Sequence, residues 1–159
     1  MVKFKISNVF NLKSFIHEKI LPDKKIKLAL VNNFPRAMDI EWSFKNNAYE
    51  ATFTEEGIYK VASFDERGKL KEEKVTVLEK QLPSRIKDIL YKKYKMHFLL
   101  NALIVNHENE KHFEIIFDSE DKSRYFLLFN ETGFIIREQL LFAIKKELLD
   151  KGNSGLSEN

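Results

Sequence analysis

Phe64-Asp65-Glu66-Arg67-Gly68-Lys69-Leu70 recurs 65 residues later as Phe129-Asn130-Glu131-Thr132-Gly133-Phe134-Ile135. In each copy an Asp or Asn precedes a Gly by three positions, with strand-like sequence on both sides. That is a hairpin signature. The side-chain oxygen bonds within its own turn, and Gly supplies the residue with φ > 0.

Working outward from these turns, period-two alternation marks the strands. Ile40, Trp42 and Phe44 alternate with Glu41, Ser43 and Lys45, and Tyr49, Ala51 and Phe53 alternate with Glu50, Thr52 and Thr54. Such alternation reads as half-buried antiparallel strands. Tyr49-Glu50-Ala51-Thr52-Phe53 returns as Phe113-Glu114-Ile115-Ile116-Phe117, a shift of 64. Further upstream, Leu21-Pro22 returns as Leu82-Pro83, a shift of 61. After the first comes the stripe Ile26, Ala29, Leu30, Phe34, and after the second Ile86, Ile89, Leu90, Tyr94. Both stripes have i, i+3, i+4, i+8 spacing, one face of a helix, and proline suits a first helical turn.

The expected fold class is therefore α+β, with two tandem repeats, each one helix plus a four-stranded antiparallel sheet. The strands are expected near 37–45, 48–54, 58–64 and 69–77, then 99–107, 111–118, 123–129 and 134–141. The expected organisation is an N-terminal extension over 1–20, a first repeat over 21–79, a second over 80–142 and a C-terminal tail over 143–159. The extension reads as a short helix or an added strand. Residues 142–150 read as a final helical turn or two, and 151–159 as a frayed polar end.

Composition limits the chemistry. The chain has 159 residues, 43% of them apolar, with 14 Phe, enough for a core of one ordinary domain. It has no cysteine, which excludes disulfides, thiolate metal sites and a cysteine nucleophile. Lys plus Arg is 27 against 24 acids, for a net charge of +3. The bases are mostly Lys, which suits a solubility surface better than the bidentate reading of phosphates. No stretch approaches the about 20 apolar residues of a membrane span. Residues 1–20 alternate charged and apolar groups and lack the continuous apolar core of a secretory signal. The expected location is periplasmic or secreted if a signal peptide has been removed, and otherwise cytoplasmic.

The order of these features resembles the PepSY-like family, also described as beta-lactamase-inhibitor-like. The likeness spans residues 21–141. It rests on the Leu21-Pro22 helix start, the Phe34-Pro35-Arg36-Ala37 exit, Ile40-Glu41-Trp42, Tyr49-Glu50-Ala51 and the Phe64–Gly68 turn. The second copy departs from it, with Lys95 following Tyr94 and Ala102 in the Trp42 position. The resemblance implies tandem helix-plus-four-strand units and a secreted or periplasmic, non-enzymatic role.

No catalytic constellation emerges, so the chain is expected not to be an enzyme and to need no cofactor. His107 and His112 bracket a polar loop, too few ligands for a metal centre. Asp118, Glu120 and Asp121 read as a solvated acidic turn. Gly152-Asn153-Ser154-Gly155 reads as a linker rather than a nucleophile turn. Residues Tyr91, Lys92, Lys93, Tyr94, Lys95 and Phe98 interleave bases and aromatics, but Tyr94 already belongs to the helix stripe. No nucleic-acid partner is expected.

A protein partner of unknown identity is expected, with Trp42, Phe44, Tyr49 and Tyr59 as partner-binding candidates, because aromatic side chains dominate interface energetics. The oligomeric state stays open. The first four strands have a polar register, whereas in the second four both registers are apolar: Tyr125, Leu127 and Phe129 against Phe126 and Leu128, Leu103 and Val105 against Ala102 and Ile104, and Ile116 against Phe113, Ile115 and Phe117. A sheet apolar on both faces needs cover on both. That cover comes from the N-terminal segment (Val9, Phe10, Leu12, Phe15, Ile16), from the C-terminal segment (Leu141, Ile144, Leu148), from the first copy, or from a partner. An apolar sheet surface also admits a small-molecule or lipid carrier.

Overall fold

The computed structural model describes residues 20–143. The expectations for 1–19 and for 144–159 lie outside the described residues. Helix α1 spans Lys24–Asn33 and is followed by β1 (Met38–Lys45), β2 (Ala48–Glu55), β3 (Ile58–Phe64) and β4 (Leu70–Thr76). A 3₁₀ turn (Glu79–Gln81), helix α2 (Ser84–Asp88) and a π-helical turn (Ile89–Lys93) lead into β5 (Met96–His107), β6 (Glu110–Ser119), β7 (Arg124–Asn130) and β8 (Ile135–Phe142).

The expectation of two helix-plus-four-strand sheets is overturned. All eight strands form one antiparallel sheet in the order β1 to β8, so the protein is mostly β, with two short helices. The joint is β4 with β5, paired from Glu72↔His107 to Thr76↔Leu103. Two separate sheets would leave β4 and β5 as exposed edges, each with a row of unpaired N–H and C=O groups. Joining them satisfies both rows. Sequence alternation reports which residues lie on a strand and which face each takes. It carries no record of the neighbour across an edge.

The tight turns explain the meander. Asn46 and Asn47 have φ of 52° and 61°, and Glu56 and Gly57 have 54° and 77°, so both two-residue connections have the positive φ pair of a type I′ turn. At Gly68 and Gly133 φ is +81° and +80°. Asp65 Oδ1 accepts from the amides of Lys69 and Arg67, each at 2.9 Å, and Asn130 Oδ1 accepts from the amide of Phe134 at 2.9 Å. The Lys69 amide in particular holds the Asp65 carboxyl below the usual carboxylate range.

Both helices lie on one side of the sheet. Under α1, Ile26, Leu30 and Phe34 pack on Ala51, Phe53, Ala62 and Phe64. Alanine at 51 and 62 leaves room for the Phe34 ring, 4.9 Å from Phe53. Under α2, Ile86, Leu90 and Tyr94 pack on Ala102, Phe113, Ile115, Phe117, Leu127 and Phe129. The π turn is closed by the Tyr94 amide, which bonds Ile89 O at 3.3 Å. The extra residue in that turn leaves Ile86, Leu90 and Tyr94 buried and Ile89 only half-buried. Each fully buried Leu, Ile or Phe contributes about 1.5–3 kcal/mol.

A polar seam divides the two cores on this side. Lys60 Nζ lies 2.9 Å from Glu55 and 3.4 Å from Glu73, and Asn106 donates to Glu73 at 3.3 Å. The Lys60 hydrogen bond holds the Glu55 carboxyl below its ordinary range. Burial works against the Lys60 charge, and the two carboxylates outweigh it, so its ammonium is held above the usual lysine value.

Candidate functional site

The helices cover one side of the sheet, which leaves a broad helix-free face. Strand register fixes its rows. One runs Glu41–Thr52–Val61–Lys74–Val105–His112–Asn130, crossing β1 to β7. A second runs Leu103–Glu114–Leu128–Arg137 and a third Ile116–Phe126–Gln139. Because side chains alternate by two along a strand, each row lies wholly on this face.

The face changes character along its length. Over β1–β3 it carries Glu41, Ser43, Glu50, Thr52 and Ser63, with Tyr59 at the turn. Over β5–β7 it carries an apolar strip of Val105, Ile116, Phe126 and Leu128. All four strip residues are buried, although no described helix lies on this side. Lys74 sits beside the strip, only 8% exposed. Its ammonium is 3.2 Å from both oxygens of Glu114 and 3.6 Å from Glu72. Glu72 also lies 3.4 Å from His107 Nδ1. A buried charge held among carboxylates fixes the geometry of the strip's border, since removing one partner strands the other.

Two depressions mark this face. One, of about 370 Å³, is lined by Lys74, Val105, His112, Glu114, Phe126, Leu128 and Arg137 among others. A wider one, of about 990 Å³, is lined by Ile20, Leu21, Glu41, Thr52 and Tyr59 among others. Both include Lys45 and Glu50, so they form one continuous surface.

The four aromatic candidates do not converge. Trp42 is half-buried against the α1 core, its ring 6.2 Å from Phe64. Phe44 and Tyr49 are cross-strand partners with rings 4.9 Å apart, also on the helix-bearing side. Tyr59 alone reaches the helix-free face, 51% exposed and opposite Thr54. The apolar strip contains none of these four aromatics. Its signal in the sequence is the doubly apolar pattern of strands β5 to β7.

The other sequence features resolve individually. His107 and His112 both fall on the helix-free face. Among the described residues no group of three metal-capable side chains gathers. Asp121 accepts from the Ser119 hydroxyl and from the Ser123 amide, which explains the acidic turn as a local cap. In the basic–aromatic stretch Tyr94 is buried, Lys92 pairs with Asp88 at 3.1 Å, and Lys93 donates to Tyr94 Oη at 2.9 Å. Gly152–Gly155 lies outside the described residues. No described helix is long and apolar enough to cross a membrane.

The architecture is thus an eight-stranded antiparallel meander with both helices on one side and a helix-free face on the other. Three solved structures share it. A DUF2874 family protein from Bacteroides uniformis matches at TM-score 0.69 and 19% identity, over 76% of this chain and 90% of that one. A candidate periplasmic protein from Bacteroides eggerthii matches at 0.70 and 18%, over 76% and 89%. A BLIP-like protein from Bacteroides fragilis matches at 0.66 and 21%, over 80% and 92%. At these identities the likeness is one of fold. The fold is shared with a BLIP-like protein, and a PepSY relationship is not shown. No family model matches the sequence, and no match is found among curated proteins.

Proposed function

We propose that this chain is a non-enzymatic, inhibitor-like protein-binding module that grips its partner with the helix-free face of the sheet. The observation that carries this reading is the face itself: a continuous surface across the strands, polar at one end and apolar at the other, bordered by fixed charges. Protein interfaces likewise combine apolar and polar surface, and Tyr59, 51% exposed, stands at the accessible end of this face. The BLIP-like neighbour supports the inhibitor-like character, and the neighbour from Bacteroides eggerthii supports a periplasmic or secreted location. The target is a folded protein whose surface enters the face from the Tyr59 side.

The test is biolayer interferometry against purified secreted hydrolases, beginning with a β-lactamase. Saturable binding should weaken at least about tenfold with Tyr59→Ala, the loss of an aromatic anchor, or with Thr52→Arg, which adds bulk and charge to the face. Asp88→Ala, on the helical side, should leave it unchanged. A bound target indifferent to both face substitutions refutes the assignment.

One observation favours a second reading, a small-molecule or lipid carrier. The depression beside Phe126 and Leu128 has the about 300–1,000 Å³ size of a ligand pocket and a partly apolar lining. Native mass spectrometry separates the two. A co-purified small mass released by Leu128→Glu supports the carrier, and a clean apo mass removes it.

A further inference from the structure

Toward β5–β8 the helix-free face sinks into the depression of about 370 Å³, whose floor is apolar. Val105, Phe126 and Leu128 form that floor and are only 5%, 5% and 8% exposed. A folded protein resting on the rim does not reach side chains this deep, whereas a small group entering the depression does. We propose that the depression takes a small amphipathic carboxylate, whose apolar body lies on Val105, Phe126 and Leu128 and whose carboxylate meets the guanidinium of Arg137. The proposal rests on the carrier reading of this face and names the class of ligand carried. It leaves the Tyr59 end of the face to a protein partner.

Charge selects the ligand. The other charged side chains of the lining are compensated within the structure. Lys45 lies 3.3 Å from Glu50, Lys71 2.7 Å from Glu108 and Lys74 3.2 Å from Glu114. Glu72 lies 3.4 Å from His107 Nδ1 and 3.6 Å from Lys74, and Asp65 Oδ1 accepts two backbone amides. Arg137 lines the same depression, and among the described residues it makes no ion pair. Strand register gives it its place. Leu128 stands between Glu114 on β6 and Arg137 on β8. The apolar floor is thus bounded by a neutralised carboxylate on one side and by an uncompensated guanidinium on the other. Arginine presents a planar fork of N–H donors that matches a carboxylate through two parallel hydrogen bonds. An apolar body covering the floor leaves water, and the charge-assisted bond beside it strengthens in the lower dielectric. One guanidinium balances one negative charge. A phosphate monoester, at about −1.5 to −2, would bring a surplus that nothing else in the lining meets.

The test is a heteronuclear NMR titration of the full chain, with octanoate and 1-octanol as probes. Octanoate should shift the amides around Val105, Phe126 and Leu128. It should bind at least about tenfold more tightly than 1-octanol, the advantage of a charged hydrogen bond. Arg137→Gln should erase that difference by weakening octanoate alone. Arg137 is exposed, so this variant keeps the fold, and its own amide spectrum verifies that. Leu128→Glu should weaken both probes. If both probes bind the depression equally, or if Arg137→Gln changes neither, the carboxylate assignment falls and the carrier reading stands. If neither probe shifts these amides, both fall. Shifts confined to the helix-bearing side mean binding at titration concentration only and also overturn the proposal.

Discussion

Gly133→Ala should be the most destabilising glycine substitution among the described turns, and its cost can be built from two parts. Gly133 has φ of +80°. A Cβ in that left-handed conformation costs about 1–2 kcal/mol. The added atom would also lie 3.1 Å from Arg85 Cδ and 3.3 Å from its Cγ. Arg85 is no idle neighbour, because its guanidinium stacks 3.7 Å over the Phe134 ring. Moving it forfeits a cation–π contact of about 0.5–1 kcal/mol at an exposed site. The sum is about 1.5–3 kcal/mol. Gly57 is the control: φ is +77° and nothing lies within 4 Å of the added Cβ, so Gly57→Ala carries the backbone cost alone. Gly68→Ala should resemble it, because its nearest new contact, Ala29 Cβ at 3.4 Å, is an ordinary one. Urea unfolding at constant m gives the three values, and for a chain of this size each kcal/mol also moves Tm by about 2–4 °C. In a double-mutant cycle, Arg85→Ala should recover the side-chain part. Equal costs for Gly57→Ala and Gly133→Ala, with no coupling to Arg85, would refute this reasoning.

Other outcomes follow from the same contacts. Lys74→Ala should cost about 3–5 kcal/mol by stranding the half-buried Glu114, and Lys71→Ala, whose partner Glu108 is exposed, far less; chemical denaturation ranks them, and equal costs would discredit the burial argument. Tyr94→Phe removes a 2.6 Å hydrogen bond to Glu138 while keeping the ring against Phe117 and Tyr125, so a loss of about 1 kcal/mol is expected. Arg124 makes paired hydrogen bonds of 2.7 and 3.0 Å to Asp118 and holds that carboxyl below its usual range. A depressed carboxyl contributes stability above its unfolded value, about pH 4, and that contribution fades as pH falls through the folded value. Asp118→Asn should therefore flatten the acid arm of the stability curve below about pH 4 and leave a parallel curve if the pair contributes nothing.

Much of the local structure is legible in the sequence because its causes are local. The Asp65–Gly68 and Asn130–Gly133 turns announce themselves through side-chain oxygens that bond their own loops, and both occur as hairpins. The stripes Ile26–Phe34 and Ile86–Tyr94 lie on buried helical faces, although the second runs through a π turn that spacing alone does not disclose. The candidate site was less accessible. Trp42, Phe44 and Tyr49 stand out in the sequence as aromatics, yet strand parity puts all three on the helix-bearing side. The strip at Ile116, Phe126 and Leu128 was visible as a sheet apolar in both registers, without any indication of which surface it joined.

The sequence by itself determined where the strands, turns and helical stripes lie and which side chains alternate together, since these depend on backbone sterics and on neighbours a few residues away. Only the tertiary structure decided that β4 pairs with β5, turning two expected sheets into one, and that both helices share a side. Those choices rest on hydrogen-bonding edges and apolar faces that meet across long stretches of chain. Alternation fixes a residue's face within its own strand. Which strand lies beside it, and so which surface stays open to a partner, is settled only when every edge and face competes for the same cover.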